Sequence, residues 1–180
     1  KWEPAPGNAL FVALNEVASP LPVIAEDLGT ITPDVTALRE SFGFPGMAVL
    51  QFAFGESPAN PYLPHNLNQQ TVVYTGTHDN DTTVGWFANI EPRVRESVQV
   101  YLQTDANQIN WDLIGAASRS VAKMAIYPMQ DVLGLGSEAR MNSPGQADNQ
   151  WGWRFEWDQV QGWHAERLNA LTRAHGRGSQ

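Results

Sequence analysis

The 180-residue chain contains no cysteine, which excludes disulfide bonds, thiol nucleophiles and thiolate metal sites. Basic residues are also scarce, since 11 Lys and Arg stand against 19 Asp and Glu and leave a net charge of −8. A nucleic acid or an anionic membrane requires a basic surface, so neither is an expected partner. No apolar run is long enough to span a bilayer. The composition therefore favours a neutral substrate and fits a reducing compartment.

Aromatic residues are plentiful, with seven Trp in the chain. This content fits a folded protein with wide aromatic contact surfaces, although core packing explains most of the Trp residues as well. The length fits one domain or part of a larger one. The chain begins at Lys1 with a Pro-rich stretch up to Gly7, which predicts a loop and a piece of a longer protein.

Four short apolar segments predict buried strands, because they are rich in β-branched and aromatic residues and are followed by polar ones. They cover residues 22–25, 48–54, 71–75 and 124–127. Helical patterns lie between them. Thr32 and Pro33 begin a helix with Val35, Leu38 and Phe42 on one face, and Gly43 ends it. Further apolar faces are formed by Val94, Val98, Tyr101 and Leu102, by Leu113, Ala117 and Val121, and by a last helix from Trp163 to about His175.

This alternation of strands and helices predicts an α/β fold with a parallel sheet, either doubly wound or part of a (β/α)8 barrel. A long segment, residues 134–153, has loop-like composition and is a candidate binding loop.

The first candidate site follows the strand predicted at residues 22–25, where Glu26 and Asp27 stand side by side. The carboxyl ends of strands in parallel α/β folds hold active sites, because the following loops converge there. The alternative is that both are solvated loop acids, or that Asp27 caps a turn.

The second candidate site is the polar cluster that follows residues 71–75 and contains His78, Asp79 and Asp81. These three could ligate a metal, could bind and transform a sugar, or could be turn and cap residues. The metal interpretation is the weaker functional one, because the chain has four His and no second cluster with ligand spacing. Asp81 is best explained as a helix cap.

Two acidic strand ends in one sheet fit glycoside chemistry. One carboxyl group must give a proton to the leaving oxygen, and the other must stay ionised beside a developing oxocarbenium ion.

Several segments together resemble glycoside hydrolase family 77, the amylomaltases. They are residues 23–33, 44–47, 50–54, 60–66, 74–83 and 136–142, in order and over nearly the whole chain. The resemblance implies transfer of α-1,4-glucan segments between maltooligosaccharides with retention. It also implies a partial (β/α)8 TIM barrel, in which residues 1–180 are the carboxy-terminal half, strands five to eight with their helices.

The resemblance also implies roles for individual residues. Glu26 matches the general acid/base and Asp79 the transition-state stabiliser. His78 matches the residue that binds the sugar in the −1 subsite. Asp27, Phe52 and Asn142 match positions that contact the glucan.

The family's nucleophile is an Asp in an Arg-Ile-Asp-like motif upstream of these segments, and no such motif occurs in the 180 residues. The resemblance therefore implies that the amino-terminal half-barrel with the nucleophile is a required partner, and that this chain alone is inactive. It requires no metal and no cofactor, and it implies a cytoplasmic location, or the plastid stroma in a plant. The alternatives are a non-catalytic glucan-binding fragment and a metal-dependent barrel hydrolase centred on His78 and Asp79.

Overall fold

The computed structural model describes residues 3, 5–55, 57–148 and 150–178. Within them the helices are α1 (Gly7–Val17), α2 (Pro33–Ser41), α3 (Thr83–Asn89), α4 (Pro92–Leu102), α5 (Ile109–Arg119), α6 (Met129–Leu133) and α7 (Gly162–Ala174). Short 3₁₀ helices cover Leu50–Phe52, Pro64–Asn66, Ser137–Ala139 and Trp157–Gln159. Much of the stretch predicted as a loop at the start of the chain, including Lys1 and Trp2, lies outside the described residues.

Three strands form a parallel sheet in the order β1 (Gly46–Val49), β2 (Thr71–Tyr74) and β3 (Met124–Ile126). The pairing aligns Ala48 with Val73 and Val73 with Ala125. Because parallel strands end at the same side of the sheet, the loops that follow β1, β2 and β3 meet there. The predicted α/β class with a parallel sheet is therefore confirmed.

The strand predicted at residues 22–25 is wrong. The segment is irregular. The Ala25 N–H donates to the carbonyl of Pro45, the residue before β1, at 2.9 Å. The Val23 N–H donates to the Leu21 carbonyl at 3.0 Å and the Asp27 N–H donates to the Ala25 carbonyl at 3.1 Å, so backbone donors here serve tight local turns and not a strand ladder.

The strand predicted at residues 48–54 is shorter than expected. It ends at Val49, and the chain then turns into a 3₁₀ helix at Leu50. The Gln51 side chain donates to the carbonyl of Asp81 at 2.9 Å, which holds the turned backbone against the loop that follows β2. The end of β1 is thus tied to the second candidate site.

The helices predicted from apolar faces are present as α2, α4, α5 and α7. Pro33 opens α2, and Gly43 and Gly176, both with positive φ, follow the ends of α2 and α7. The prediction that Val121 faces inward on this helix is wrong, because Val121 lies beyond α5 and is 58% exposed. No pattern predicted α1, α3 or α6, which are short or lack buried residues on a regular face. Within the described residues, the helices are too short or too polar to span a bilayer.

Helix α5 supplies most of the core beside the sheet. Leu113 and Ala117 are fully buried against Leu50 and Val73, in a cluster that also includes Val98 of α4. Each buried Leu or Val side chain contributes about 1.5–3 kcal/mol through removal from water. This core fixes the strands whose ends carry the candidate site.

A buried carboxylate, that of Asp131, joins the elements around the end of β2. Thr75 Oγ1 donates to its Oδ2 at 2.5 Å, and the N–H and hydroxyl of Thr83 donate to it at 2.7 and 2.8 Å. Thr75 precedes residues 76–82 and Thr83 follows them, so one side chain fixes both ends of this loop. Burial raises the pKa of Asp131, and the three hydrogen bonds partly offset that rise.

The raised pKa predicts a pH-dependent stability. The native chain keeps the Asp131 proton to a higher pH than the unfolded chain, so the stabilisation is complete below the unfolded pKa, about 3.9, and is lost as pH rises through the folded pKa. Asp131→Asn stays neutral. We expect its melting temperature, relative to the parent chain, to improve as the pH rises from about 4 to 7, measured by circular dichroism at low protein concentration.

Asp34→Asn is the matched control. Asp34 is exposed, and the Thr32 side chain lowers its pKa, so its stabilising contribution is present above the unfolded pKa. Between pH 4 and 7 this variant should therefore show almost no change in melting temperature relative to the parent, because the contribution of Asp34 changes only as the pH falls below the unfolded pKa. Equal trends in the two variants would contradict the assignment of the effect to the burial of Asp131.

The sheet also predicts self-association of the isolated chain. Within the described residues β3 pairs with β2 alone, and Met124 and Ile126 on it are each 38% exposed. Such an edge presents free backbone donors and acceptors to other chains. We expect concentration-dependent association in light scattering, and Met124→Lys should raise the concentration of half-association roughly tenfold. Val100→Lys, at an exposed position on α4, should leave association unchanged. A parent chain that stays monomeric at all concentrations would refute this prediction.

Candidate active site

A cleft of about 800 Å³ opens at the carboxyl ends of the strands. Its walls come from the segment before α2, the loop after β2, the end of β3 and the loop after α6. Four of the predicted site residues line it, namely Glu26, Phe52, His78 and Asp79. The structure therefore brings together the two candidate carboxyl groups, although they lie 53 residues apart in the sequence.

The loop after β2 is shaped by its own polar side chains. The Thr77 N–H and hydroxyl both donate to Asn80 Oδ1, at 2.9 and 2.7 Å, and the Asp79 N–H donates to Thr77 Oγ1 at 3.3 Å. These bonds form a turn that presents His78 and Asp79 at its outer side, where their side chains are 52% and 46% exposed. The turn gives Asp79 a fixed backbone without burying its carboxylate.

The Asp79 carboxylate is held from the loop after α6. Asn142 Nδ2 donates to Asp79 Oδ1 at 2.6 Å, and His78 Nε2 lies 3.4 Å from the same oxygen. Arg140 binds the backbone on both sides, through the Asp79 carbonyl at 2.6 Å and the Asn142 carbonyl at 2.8 Å. Asn142 thus reaches the site through Asp79, and these contacts orient the carboxylate toward the cleft.

Glu26 has a different environment. Glu26 is exposed to solvent. Within the described part of the chain, its carboxylate accepts no hydrogen bond. It is close enough to Tyr74, at the end of β2, that its charge adds to the effect of burial and raises the pKa of the Tyr74 hydroxyl. A carboxyl group with open lone pairs at a cleft wall is suited to proton exchange with a bound molecule.

Asp27, predicted to contact the glucan, does not line this cleft. The Met47 N–H donates to its Oδ1 at 2.7 Å, and Arg39 Nε lies 3.2 Å from its Oδ2. A Cβ on Gly46 would come within 2.3 Å of this carboxylate, so Asp27 packs directly on the start of β1. Asp27 therefore connects its own segment to helix α2 and to strand β1.

The prediction that Asp81 caps a helix is wrong. Thr82 is the N-cap of α3, and its hydroxyl accepts from the Gly85 N–H at 3.1 Å. Asp81 instead accepts from the Thr82 N–H and from the Ser137 hydroxyl, which ties the two loops together. The described residues contain no group of three or more His, Asp or Glu side chains arranged to hold a metal ion. The metal interpretation of His78, Asp79 and Asp81 therefore has no support in the geometry.

Two aromatic residues complete the wall. Phe52, predicted as a glucan contact, lines the cleft with 46% of its surface exposed and packs edge-on against Tyr62 at 6.1 Å. Trp151 was not singled out by the sequence. Its ring lies 4.9 Å from that of His78, and its φ is 60°, a conformation that costs a bulky residue about 1–3 kcal/mol. The available signal was the long loop-like segment at residues 134–153, which contains it.

Comparison with known proteins identifies the family. The model of glycoside hydrolase family 77, described as 4-alpha-glucanotransferase, matches residues 1–160. The 4-alpha-glucanotransferase of Synechocystis sp. is 52% identical over 98% of this chain and 36% of its own length. That of Thermus thermophilus is 47% identical over 97% of this chain and 36% of its own length.

A solved structure gives the same result. The amylomaltase from Streptococcus agalactiae in complex with acarbose has a TM-score of 0.93 and 32% identity over 99% of this chain and 37% of that chain. The present chain thus spans about a third of the length of the relatives that it matches. On the match of the family model and on these relatives, the chain belongs to glycoside hydrolase family 77, the 4-alpha-glucanotransferases.

Proposed function

We propose that this chain carries the acid/base half of the active site of a 4-α-glucanotransferase. The enzyme transfers α-1,4-glucan segments between maltooligosaccharides and retains the anomeric configuration. The observation that carries the proposal is the convergence of Glu26 and Asp79 on one cleft at the carboxyl ends of parallel strands. A wall with exposed aromatic and polar side chains suits a neutral sugar, because rings stack on its apolar faces and amides bind its hydroxyls.

The two carboxyl groups take different roles, in agreement with their environments. Glu26, with no internal hydrogen-bond partner among the described residues, is the general acid/base. Asp79, which accepts from Asn142, keeps its charge and stabilises the oxocarbenium-like transition state through the sugar. His78 binds the hydroxyls of the −1 sugar, and Phe52 contacts the glucan. Asn142 positions Asp79 and contacts the same ligand.

The attacking carboxylate comes from polypeptide outside these 180 residues. The sequence has no Arg-Ile-Asp-like motif, and the relatives are almost three times as long as the matched segment. The three-stranded sheet is then part of a (β/α)8 barrel, with residues 1–180 forming its carboxy-terminal half. A half-barrel with the nucleophile is the required partner, and it closes the cleft opposite Asp79.

The reaction proceeds by two displacements. The nucleophilic carboxylate forms a bond to the anomeric carbon while the bond to the glycosidic oxygen breaks, and that oxygen takes the proton of Glu26. An acceptor glucan then binds, and Glu26 removes the proton of its 4-hydroxyl as this oxygen attacks the anomeric carbon. The ester bond to the nucleophile breaks, and Glu26 is again protonated. Exclusion of water from the cleft favours a glucan acceptor over hydrolysis.

The location follows the relatives. The plant members from Arabidopsis thaliana and Solanum tuberosum are named as chloroplastic or amyloplastic, and they are 46% identical to this chain. We propose the cytoplasm for this protein, or the plastid stroma if its source is a plant.

The assignment of Glu26 can be tested in a chimera. In it, these 180 residues replace the matching segment of the Synechocystis sp. relative, which supplies the remaining polypeptide. We expect the chimera to disproportionate maltotriose. Glu26→Gln in the chimera should lower kcat about 10²- to 10⁴-fold, because the amide cannot deliver a proton, and should leave glucan binding largely unchanged. Turnover is measured as glucose release, and binding is measured by calorimetry.

The control is Glu166→Gln, which makes the same change on the exposed surface of α7, away from the cleft. It should retain full activity. Near-normal turnover of the Glu26→Gln chimera would show that Glu26 is a solvated loop acid and would remove the basis of the proposed function.

The isolated 180-residue chain gives a second prediction. It should release no glucose from maltotriose and should not redistribute chain lengths, because no glycosyl-enzyme intermediate can form without the nucleophile. Weak binding of maltoheptaose by the same sample is expected, since part of the cleft is present. Robust transfer by the chain alone would mean that the nucleophile lies within it, whereas binding with an inactive chimera would favour a glucan-binding fragment.

A further inference from the structure

Trp151 combines a strained backbone with a place in the cleft wall. Its φ is 60°, in the left-handed region. Among the described non-glycine residues, Gln103 and Ala106 also have a positive φ, but they lie after α4 and outside the cleft. A large side chain in this conformation destabilises the fold. The conformation therefore needs a reason in what the side chain does.

The loop around Trp151 enforces this conformation. The Trp151 N–H donates to the Met141 carbonyl at 2.8 Å, and its own carbonyl accepts from Arg154 Nη1 at 3.1 Å. The neighbouring Gln150 side chain accepts from the Ser143 N–H. Met141 lies beside Asn142 in the chain, so the same loop that orients Asp79 holds Trp151 in place.

The indole is held but not buried. It lies 4.9 Å from the His78 ring with an interplanar angle of 36°, and 53% of Trp151 remains exposed. His78 in turn lies 3.4 Å from Asp79. The ring lies in the cleft wall, next to the side chain that we assign to the −1 sugar.

We propose that Trp151 is a substrate-binding residue whose exposed indole face stacks on a pyranose ring of the glucan beside His78. This inference rests on the proposed function and adds a residue to it. An uncharged aromatic face suits a neutral sugar ring, which presents C–H groups on its apolar side. An exposed aromatic ring outside the cleft provides the comparison. Trp157 is 78% exposed but lies outside the cleft wall, where it packs edge-on against Phe155 at 5.2 Å.

The test uses three variants of the chimera with the Synechocystis sp. relative. Trp151→Asn removes the ring and keeps the backbone, because Asn adopts positive φ more readily than other residues. Trp151→Phe keeps a smaller ring. Trp157→Asn makes the same chemical change outside the cleft. For each, KM and kcat with maltotriose are measured at a temperature well below the melting temperature, which is also recorded.

We expect Trp151→Asn to raise KM roughly tenfold with a smaller change in kcat, because stacking binds ground state and transition state alike. Its melting temperature should stay within about 2 °C of the parent, since relief of strain offsets the lost ring contact. Trp151→Phe should recover most of the affinity, and Trp157→Asn should match the parent.

Two results would overturn the inference. One is an unchanged KM in Trp151→Asn, whatever its melting temperature. The other is a raised KM that Trp157→Asn reproduces or that Trp151→Phe fails to repair, because either would indicate loosening of the loop. The proposed function fails separately, through an inactive parent chimera or an active Glu26→Gln chimera.

Discussion

The Asp131 carboxylate is the interaction on which the site depends. It binds Thr75 at the end of β2 and Thr83 at the start of α3, while its own backbone carbonyl accepts from Asn110 of α5 at 2.7 Å. A buried carboxylate is costly unless its oxygens are paired, and here three donors offset part of that cost. The network fixes both ends of the loop with His78 and Asp79, because this loop leaves and re-enters the core at this point.

The cleft divides its two carboxyl groups by their surroundings. Asp79 lies within a set of donors and backbone contacts from Asn142 and Arg140, and Glu26 stands in the wall without such partners in the described chain. Two acids in one cleft need such a difference if one is to keep its charge while the other exchanges a proton. This difference in hydrogen-bond partners is the basis on which we propose different roles for the two groups.

Sequence patterns predicted the parts of this arrangement that have a local cause. Apolar runs located β2, and the polar residues after it located Asp79. The strand predicted at residues 22–25 is absent because its apolar composition does not reveal that the backbone donors there serve tight local turns. Asp131 could not be found, since its partner Thr75 lies 56 residues away and no periodicity encodes that contact. Asn142 was reached through family resemblance, and its hydrogen bond to Asp79 needed coordinates.

The hydrogen bonds from Arg140 and Asn142 to Asp79 have a consequence for the order of folding. Arg140 and Asn142 reach it across 61 and 63 residues of sequence, from a largely irregular loop that contributes little to the core. A contact between residues far apart in sequence requires closure of a long loop, which costs conformational entropy before the contact stabilises the chain. Such contacts therefore tend to form after local structure and core packing. The sheet and α5 can then assemble while the carboxylate is still free to rotate. Competence for chemistry would be acquired as a last, separate step, later than the native secondary structure that spectroscopy detects.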